Sequence, residues 1–296
     1  MKAFAFVFFL LLGAASAISA DHRRLAFEQN DGVYIANLDV SVVRRLADGI
    51  FPAIAPDAMR IAFTSVEKSG MQYVRRIAIT DVGSGKTEFC QNIPSDNCYY
   101  ATWSPDGNSI AFTFRSDGVW HLGRVKADGS NFQFIKKGMP NQLTLYSPCW
   151  ARDGLSIFCE DMTDIYRLNL DGSILARWKI GKIVPNGGMS GDGRIDVSPD
   201  GRRLLLSVEM DESYDRKNWD GPVPALWVFD LDRQIAVRLT SNRLFAWDGC
   251  WLDNENILFV SQAEGEKQTA LNRMVANGKL PKQLLKGARH PSVSRP

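Results

Sequence analysis

Hydrophobic and polar residues alternate along most of the chain in short segments, and Gly, Asp, Asn or Pro stands between one segment and the next. Alternation with a period of two is typical of β-strands with one buried face, and the separating residues are those that form tight turns. Stretches with apolar residues at helical spacing are scarce. The pattern therefore predicts an all-β protein.

One turn-and-strand motif recurs at intervals of roughly 50 residues, in a range typical of propellers and other repeat arrays. Its copies occupy residues 55–64, 104–113, 151–159, 198–207 and 252–260. Pro sets φ at the first turn position, Asp bonds its own backbone, and Gly takes the left-handed conformation. A second turn follows each copy, so each repeat supplies two hairpins, the four strands of a propeller blade. Trp103, Trp150 and Trp251 stand just before the turn and are predicted to pack between blades.

The two ends of the chain predict how the ring closes. Residues 24–27 match residues 60–63, so the first blade has its last three strands but lacks an innermost one. Residues 293–296 match residues 53–56 and supply that missing strand. We therefore expect residues 21–296 to form a six-bladed β-propeller of four-stranded blades, closed by the C-terminal strand joining the N-terminal blade.

Residues 1–20 are predicted to be a signal peptide. Lys2 precedes an apolar run at 3–12 that is short for a membrane span, and small residues lead up to Ala20. We expect cleavage there, a periplasmic or secreted location, and no stable membrane insertion after signal removal.

Composition and charge narrow the function classes. The chain is 45% hydrophobic, enough for a large core, and its formal net charge of +2 gives no electrostatic case for nucleic acid. With three histidines and no cysteine pair at metal-ligand spacing, we expect neither a metal nor a cofactor. A monomer is expected.

Five cysteines in an exported protein predict disulfides, and the odd number leaves one thiol unpaired. Cys149 and Cys159 flank a turn and are predicted to face each other on paired strands. Cys90 and Cys98 lie close together in a connection between blades. A buried thiol is the alternative for each residue, and Cys250 is expected to be free.

The Ser-Pro-Asp-Gly hairpins at 104–107 and 198–201, each followed by an apolar strand, resemble the TolB-like six-bladed propeller family and its WD-like Pro-Asp repeats. The resemblance covers nearly all of the chain after the signal. It implies the propeller fold and docking of a protein partner in the periplasm. The same propeller type precedes the hydrolase domain of prolyl-oligopeptidase-like enzymes and forms a lyase family acting on oligogalacturonides. Neither the additional α/β domain of TolB nor a hydrolase domain is expected here.

Residues six or seven before each turn Asp are predicted to begin the innermost strands and ring one mouth of the central channel. Aromatic and charged residues gather there, which is typical of binding surfaces, although packing of the ring is the alternative. The candidates are Phe51, Tyr99, Tyr100, Tyr146, Arg194, Trp247, Asp248 and His290.

A second candidate surface is the long loop 209–222, with Asp211, Tyr214 and Trp219 as contact residues. Glu160 and Asp161, which are adjacent in the sequence, are predicted to lie on a different, solvated loop.

Two functions follow from these patterns. The first is a non-enzymatic exported propeller that serves as a protein-interaction or ligand-binding scaffold in the cell envelope. The alternative is a propeller enzyme, a lyase or hydrolase, acting on a saccharide or peptide in the central channel. The sequence lacks a Gly-x-Ser-x-Gly nucleophile motif and has few histidines, which favours the scaffold.

Overall fold

The computed structural model describes residues 22–135, 143–212 and 221–295, and the regular secondary structure of these residues is almost entirely β-strand. One short helix, α1 (Ile180–Ile183), interrupts them. The strands are β1 (Arg24–Gln29), β2 (Gly32–Asn37), β3 (Val43–Asp48), β4 (Ile50–Ile54), β5 (Arg60–Ser69), β6 (Gln72–Asp81), β7 (Thr87–Phe89), β8 (Cys98–Trp103), β9 (Ser109–Ser116), β10 (Val119–Lys126), β11 (Gln133–Ile135), β12 (Tyr146–Trp150), β13 (Ser156–Glu160), β14 (Asp164–Asn169), β15 (Ile174–Lys179), β16 (Gly187–Gly188), β17 (Ile195–Val197), β18 (Arg203–Met210), β19 (Val223–Asp230), β20 (Ile235–Arg238), β21 (Leu244–Trp251), β22 (Asn256–Ala263), β23 (Ala270–Val275), β24 (Lys282–Lys286) and β25 (Arg289–Val293).

The repeated turns form as their residue types require. Asp106 Oδ1 accepts a hydrogen bond from the backbone N–H of Asn108 at 3.0 Å, and Gly107 has a left-handed backbone with φ of 69°. Asp200 and Gly201 repeat this geometry. The Pro-Asp-Gly motif thus fixes the hairpins between the first two strands of the third blade and between β17 and β18 of the fifth.

The strands form six antiparallel sheets arranged in a ring, which confirms the predicted six-bladed β-propeller. In the second, third, fourth and sixth blades, the first strand in chain order lies at the central channel and the fourth at the outer edge. In the fifth blade, two short strands, β16 and β17, share the inner position beside β18.

The first blade is completed by the C-terminal strand, as predicted. β25 pairs antiparallel with β1, with Val293 opposite Leu25 and Ser292 opposite Ala26. Two further hydrogen bonds extend the pairing: Ser294 N–H to Arg24 O at 2.9 Å, and Arg24 N–H to Ser294 Oγ at 2.7 Å. The closure pairs the inner edge of β1, which would otherwise be open.

Hydrophobic side chains fill the spaces between neighbouring blades, and the three predicted tryptophans lie there. All three are buried, and each indole N–H donates to a backbone carbonyl of the preceding blade. The bonds run from Trp103 to Ala53 at 2.9 Å, from Trp150 to Thr102 at 3.1 Å, and from Trp251 to Asp196 at 3.3 Å. Each tryptophan therefore fixes one blade against the next.

The cysteine predictions need correction, because all five cysteines are free thiols in this structure. Cys149 lies opposite Phe158 in the ladder, so Cys159 is one residue out of register and points to the other face of the sheet. Cys90 and Cys98 pack in the same hydrophobic cluster, but no bridge joins them. Cys250 is buried and free, as expected.

Two sequence predictions fall outside the described residues: the signal peptide at 1–20 and the contact residues Tyr214 and Trp219 of the long loop. Among the residues that the structure does describe, no helix has the length and apolar character needed to cross a membrane.

Candidate functional site

The innermost strands of five blades are irregular at the same place, where the ladder register shifts. A non-glycine residue with left-handed backbone, φ between 50° and 56°, occupies each irregularity. In the fifth blade, Arg194 holds the equivalent position directly before β17. Together these residues line one cavity at the channel mouth: Phe51, Tyr100, Ser147, Arg194, Asp248 and His290.

This backbone conformation is unfavourable for residues with a Cβ, by about 1–2 kcal/mol each. Bulges of this kind re-aim a side chain, and backbone strain of this kind concentrates at binding sites and active sites. Its repetition in five blades singles out the channel mouth as the candidate functional site.

One side of the mouth holds a network of paired charges around His290. Its Nδ1 lies 2.7 Å from Asp248 Oδ2, and its Nε2 lies 3.6 Å from Glu28 Oε2. Glu28 also lies 3.0 Å from Arg289 Nη2 and accepts a hydrogen bond from the Phe51 backbone N–H at 3.2 Å. Both carboxylates are buried. Burial raises the pKa of Asp248, but the contact with His290 and the charge of Arg194 outweigh it and hold that pKa below its usual value.

The opposite side of the mouth holds a third buried carboxylate, Glu160, with fewer partners. It is the last residue of β13 and is fully buried, so its predicted place on a solvated loop was wrong. Its Oε2 accepts a hydrogen bond from the Met162 backbone N–H, whereas its Oε1 has no hydrogen-bond partner within the described chain. Burial raises the pKa of Glu160 to about 8, with Asp161 and Asp192 adding to the effect.

Aromatic rings form a continuous arc between these two sides, across four blades. Phe51 contacts His290 at 4.3 Å and Tyr100 at 4.5 Å between ring centroids. The arc continues from Tyr100 to Tyr99 at 5.9 Å. It then reaches Trp120 and Tyr146, with centroid distances of 5.6 Å for Tyr99 to Trp120 and 6.3 Å for Trp120 to Tyr146. All six rings are half-buried, so each keeps an accessible portion.

Arginine side chains cross the channel at two depths. At the mouth, Arg194 Nη1 donates to the backbone carbonyl of Pro291 at 2.6 Å. Deeper in the channel, Arg295 contacts the carboxylate of Asp196 and donates to Trp251 O at 2.7 Å. Burial raises the pKa of Asp196, against the lowering effect of neighbouring guanidinium groups. These contacts link the C-terminal segment to the fifth and sixth blades.

No protein-family model matches the chain, and no curated protein matches it by sequence. TolB from Acinetobacter baumannii is similar in structure over 92% of this chain and 66% of its own, with a TM-score of 0.69 and 17% identity. A putative TolB from Agrobacterium tumefaciens matches over 91% of this chain and 92% of its own, with a TM-score of 0.63 and 17% identity. The described chain has the TolB-like propeller fold.

The TolB-like propeller also occurs in enzymes. An oligogalacturonate lyase from Vibrio parahaemolyticus is similar over 84% of this chain and 74% of its own, with a TM-score of 0.52 and 16% identity. The chain spans just under two thirds of the length of the Acinetobacter TolB. At these identities the similarity shows the fold alone.

In this TolB-like propeller, the predicted mouth residues divide into three groups. Tyr99, Tyr100 and Tyr146 lie in the aromatic arc, while Arg194, Asp248 and His290 line the mouth cavity. Trp247 is half-buried and packs against the hydrophobic cluster that includes Phe245 and Val208. Asp211 follows β18, where its backbone N–H bonds Asn186 O at 3.2 Å.

Sequence reasoning missed three residues that the structure places at or beside the candidate site: Glu28, Glu160 and Trp120. Counting positions from the turn of each repeat locates the two carboxylates. The position counted is seven residues after the turn Asp, or after Asp21 in the first blade. It is occupied by Glu28, Thr64, Thr113, Glu160, Ser207 and Val260. Trp120 is the second residue of β10, the third strand of its blade, so counting along innermost strands alone does not reach it.

Within the described residues, no three His, Cys, Asp or Glu side chains come together in an arrangement that would hold a metal ion.

Proposed function

We propose that the protein is a non-enzymatic binding scaffold of the cell envelope that holds a protein partner at the channel mouth. The observation that carries this proposal is the arc of six accessible rings contributed by four blades. Aromatic residues dominate binding energies at protein interfaces, mainly from central and well-packed positions.

The surroundings of the arc favour binding. Each ring is fixed by its neighbour and by the strand that carries it, so little side-chain freedom is lost when a partner binds. Arg194 adds a guanidinium, another residue type common at interface hot spots, beside the arc. Export to the envelope is supported by the signal-peptide pattern of residues 1–20 and by the TolB-like fold.

The proposal is tested by affinity capture from the native envelope fraction, followed by binding measurements with the captured protein. Replacing Tyr99 and Tyr146 together by Ala should weaken binding by on the order of 2 to 4 kcal/mol if they are hot spots. A matched control replaces Phe89 and Phe134, two exposed aromatics on the fourth strands of the second and third blades that line neither the mouth cavity nor the aromatic arc, and it should bind like wild type.

A third variant, with Tyr214 and Trp219 changed to Ala, tests the loop 209–222. If this variant loses binding while the mouth variant keeps it, the binding surface belongs to the loop and the mouth proposal is wrong. Cooperative unfolding of every variant shows that the fold is retained.

An enzyme acting on a saccharide or peptide is the second candidate. One observation favours it: His290 lies between Glu28 and Asp248 in the mouth cavity, which would allow proton exchange with a bound substrate. Incubation with oligogalacturonides and with unfolded polypeptide tests this candidate. Turnover by wild type that His290→Gln abolishes would replace the scaffold proposal.

A further inference from the structure

Four aromatic side chains of the arc meet around a separate pocket beside the mouth cavity. The pocket encloses about 620 Å³ of space, part of it open to solvent. Its lining consists of Tyr99, Tyr100, Thr113, Trp120, Tyr146, Gly191 and Asp192.

The rings are tilted against one another instead of being stacked. The interplanar angle is 58° between Tyr99 and Trp120, 47° between Trp120 and Tyr146, and 35° between Tyr99 and Tyr100. Tilted rings do not cover each other's faces, so electron-rich surfaces remain available around the pocket. Such an arrangement attracts cations, and most strongly where Trp contributes.

The polar groups in and beside the pocket also favour a cation. Asp192 contributes an exposed carboxylate to the lining. Thr113 also lines the pocket, is 1% exposed, and its Oγ1 has no hydrogen-bond partner among the described residues. Glu160 lies opposite Tyr146 in the ladder, and its Oε1 is likewise unpartnered within that part of the chain. Buried oxygens without partners are costly, and a bound donor removes that cost.

We propose that this pocket binds an organic cation, the ammonium group of a lysine side chain or of a chain N-terminus in the partner protein. The inference rests on the proposed function, because the ammonium group belongs to the partner. An ammonium group donates hydrogen bonds that Thr113 and the carboxylates accept, while the rings surround its charge.

Two guanidinium groups of the protein lie near the pocket and oppose this preference. Arg75 lies over the Tyr99 ring at 5.5 Å, and the positive charge of Arg115 acts on Tyr146. Against them stand Asp192, Glu160 and the adjacent Asp161. The ring of Trp120 and the buried oxygens decide in favour of a small cation.

The charge state of Glu160 links binding to pH. Burial raises its pKa to about 8, so the free protein holds this group mostly protonated at pH 7. A bound cation stabilises the carboxylate and releases the proton, and affinity should therefore rise between pH 6 and pH 9. Glu160→Gln should abolish most of that rise.

The test uses small probes of defined charge, titrated by NMR. Tetramethylammonium carries a charge that does not change with pH, and tert-butanol is its neutral counterpart. N-acetyl-lysine amide presents only a side-chain ammonium, whereas glycylglycine amide presents only a terminal amine. We expect the cations to bind roughly tenfold more tightly than the neutral probe. Whichever of the two amines binds more tightly identifies the source of the ammonium group, a lysine side chain or a chain N-terminus.

Variants locate the site. Trp120→Leu should weaken tetramethylammonium binding roughly tenfold, whereas Tyr146→Phe, which keeps the ring, should bind like wild type. Phe89→Ala is the matched control, because this exposed ring lies on β7, outside the pocket. If Trp120→Leu does not fold, proton contacts between the probe methyl groups and the Trp120 indole of wild type give the same location.

The outcomes separate this inference from the proposed function. Equal binding of tert-butanol and tetramethylammonium, or no cation binding at all, overturns the cation site, and the scaffold proposal stands if the Tyr99 and Tyr146 variant still loses the partner. If the wild-type protein binds the cations but the Tyr99 and Tyr146 variant still captures the partner, the proposed function is overturned instead. The assignment of the ammonium group to the partner is then overturned as well.

Discussion

Glu28 and Glu160 occupy the same position in the second strands of opposite blades, yet their surroundings differ. Glu28 is surrounded by Arg289, His290 and the Phe51 N–H, and all three come from innermost strands. Glu160 lies across from Tyr146 and has one hydrogen bond, to Met162. Both are buried.

The difference shows that the propeller repeat fixes where a side chain lies but not which groups surround it. On the Glu28 side, the buried charge is compensated within the protein and ties β25 to β1. On the Glu160 side, burial is not compensated, which raises the pKa and leaves an oxygen without a hydrogen bond among the described residues. Uncompensated polar groups of this kind reduce stability and are retained where a ligand satisfies them.

The largest effect is expected from removing the partners of Glu28 together with their strand. Deleting residues 289–296 removes β25, exposes the edge of β1 and leaves Glu28 buried without a counter-charge. We expect a loss on the order of 5 kcal/mol or more, comparable to the whole stability of a domain. Thermal unfolding and size-exclusion chromatography measure it. A truncated protein that melts like wild type and stays monomeric would show that β25 does not close the ring.

Replacing each glutamate by Gln should change the free energy of unfolding in opposite directions on the Glu28 side and the Glu160 side of the mouth. Glu28→Gln leaves Arg289 without its carboxylate and His290 with Asp248 alone, and it should lower the free energy of unfolding by about 2–3 kcal/mol, since Arg289 is partly solvated. Glu160→Gln removes a carboxyl group that must take up a proton to be buried at pH 7, and it should leave stability unchanged or raise it by about 1–3 kcal/mol. Urea unfolding compares the two, and a similar loss for both variants would contradict the contrast.

The two sides should also respond oppositely to pH. The folded pKa of Glu160, about 8, lies above its ordinary value of 4.5, so its contribution to stability is complete below pH 4.5 and is lost as pH rises towards 8. The pKa of Asp248 is lowered, so its contribution is present above about pH 4 and is lost as pH falls further. Relative to Glu160→Gln, wild type should therefore lose roughly 2–4 kcal/mol between pH 5 and pH 8. If the free energies of unfolding of wild type and Glu160→Gln change in parallel with pH, the assignment of a raised pKa to Glu160 is refuted.

The smallest effect concerns the strained backbone on the Glu160 side. Ser147 is buried, its Oγ has no partner among the described residues, and its φ is 50°. Ser147→Gly relieves that strain and should stabilise the fold by up to about 1 kcal/mol. Ser207→Gly is the matched control, because Ser207 is buried and unpartnered in the same way but has an ordinary negative φ. It should destabilise by about 0.5–1 kcal/mol, and equal effects would contradict the argument.

The architecture was predictable from the sequence because its signals are local and repeated. Turn chemistry at Asp106 and Asp200 fixes hairpins within a few residues, and the match between 293–296 and 53–56 is sufficient to predict the closure. The buried tryptophans follow from one repeated register position. Because the pattern occurs in six blades, an error in assigning the strands of one blade does not change the predicted fold.

The site was predicted less well, because burial and pairing depend on neighbouring blades. Glu160 stands beside Asp161 in the sequence and has the composition of a loop, but the ladder places it in β13. Cys149 and Cys159 show how a displacement of one residue exchanges the two faces of a sheet. The irregularities at Phe51 and Tyr100 carry no sequence signal, since aromatic residues rarely adopt positive φ.

The pairing of β25 with β1 also determines the order in which the molecule can fold. Five blades consist of strands that are neighbours in the sequence, so each can form by local contacts. The first blade needs a strand from the far end of the chain, and a contact of such long range forms slowly because it requires closure of a very large loop. Until that step, β1 presents an open edge to other chains. Ring closure is therefore the late step of folding, and the protein is most prone to aggregate in the interval before it.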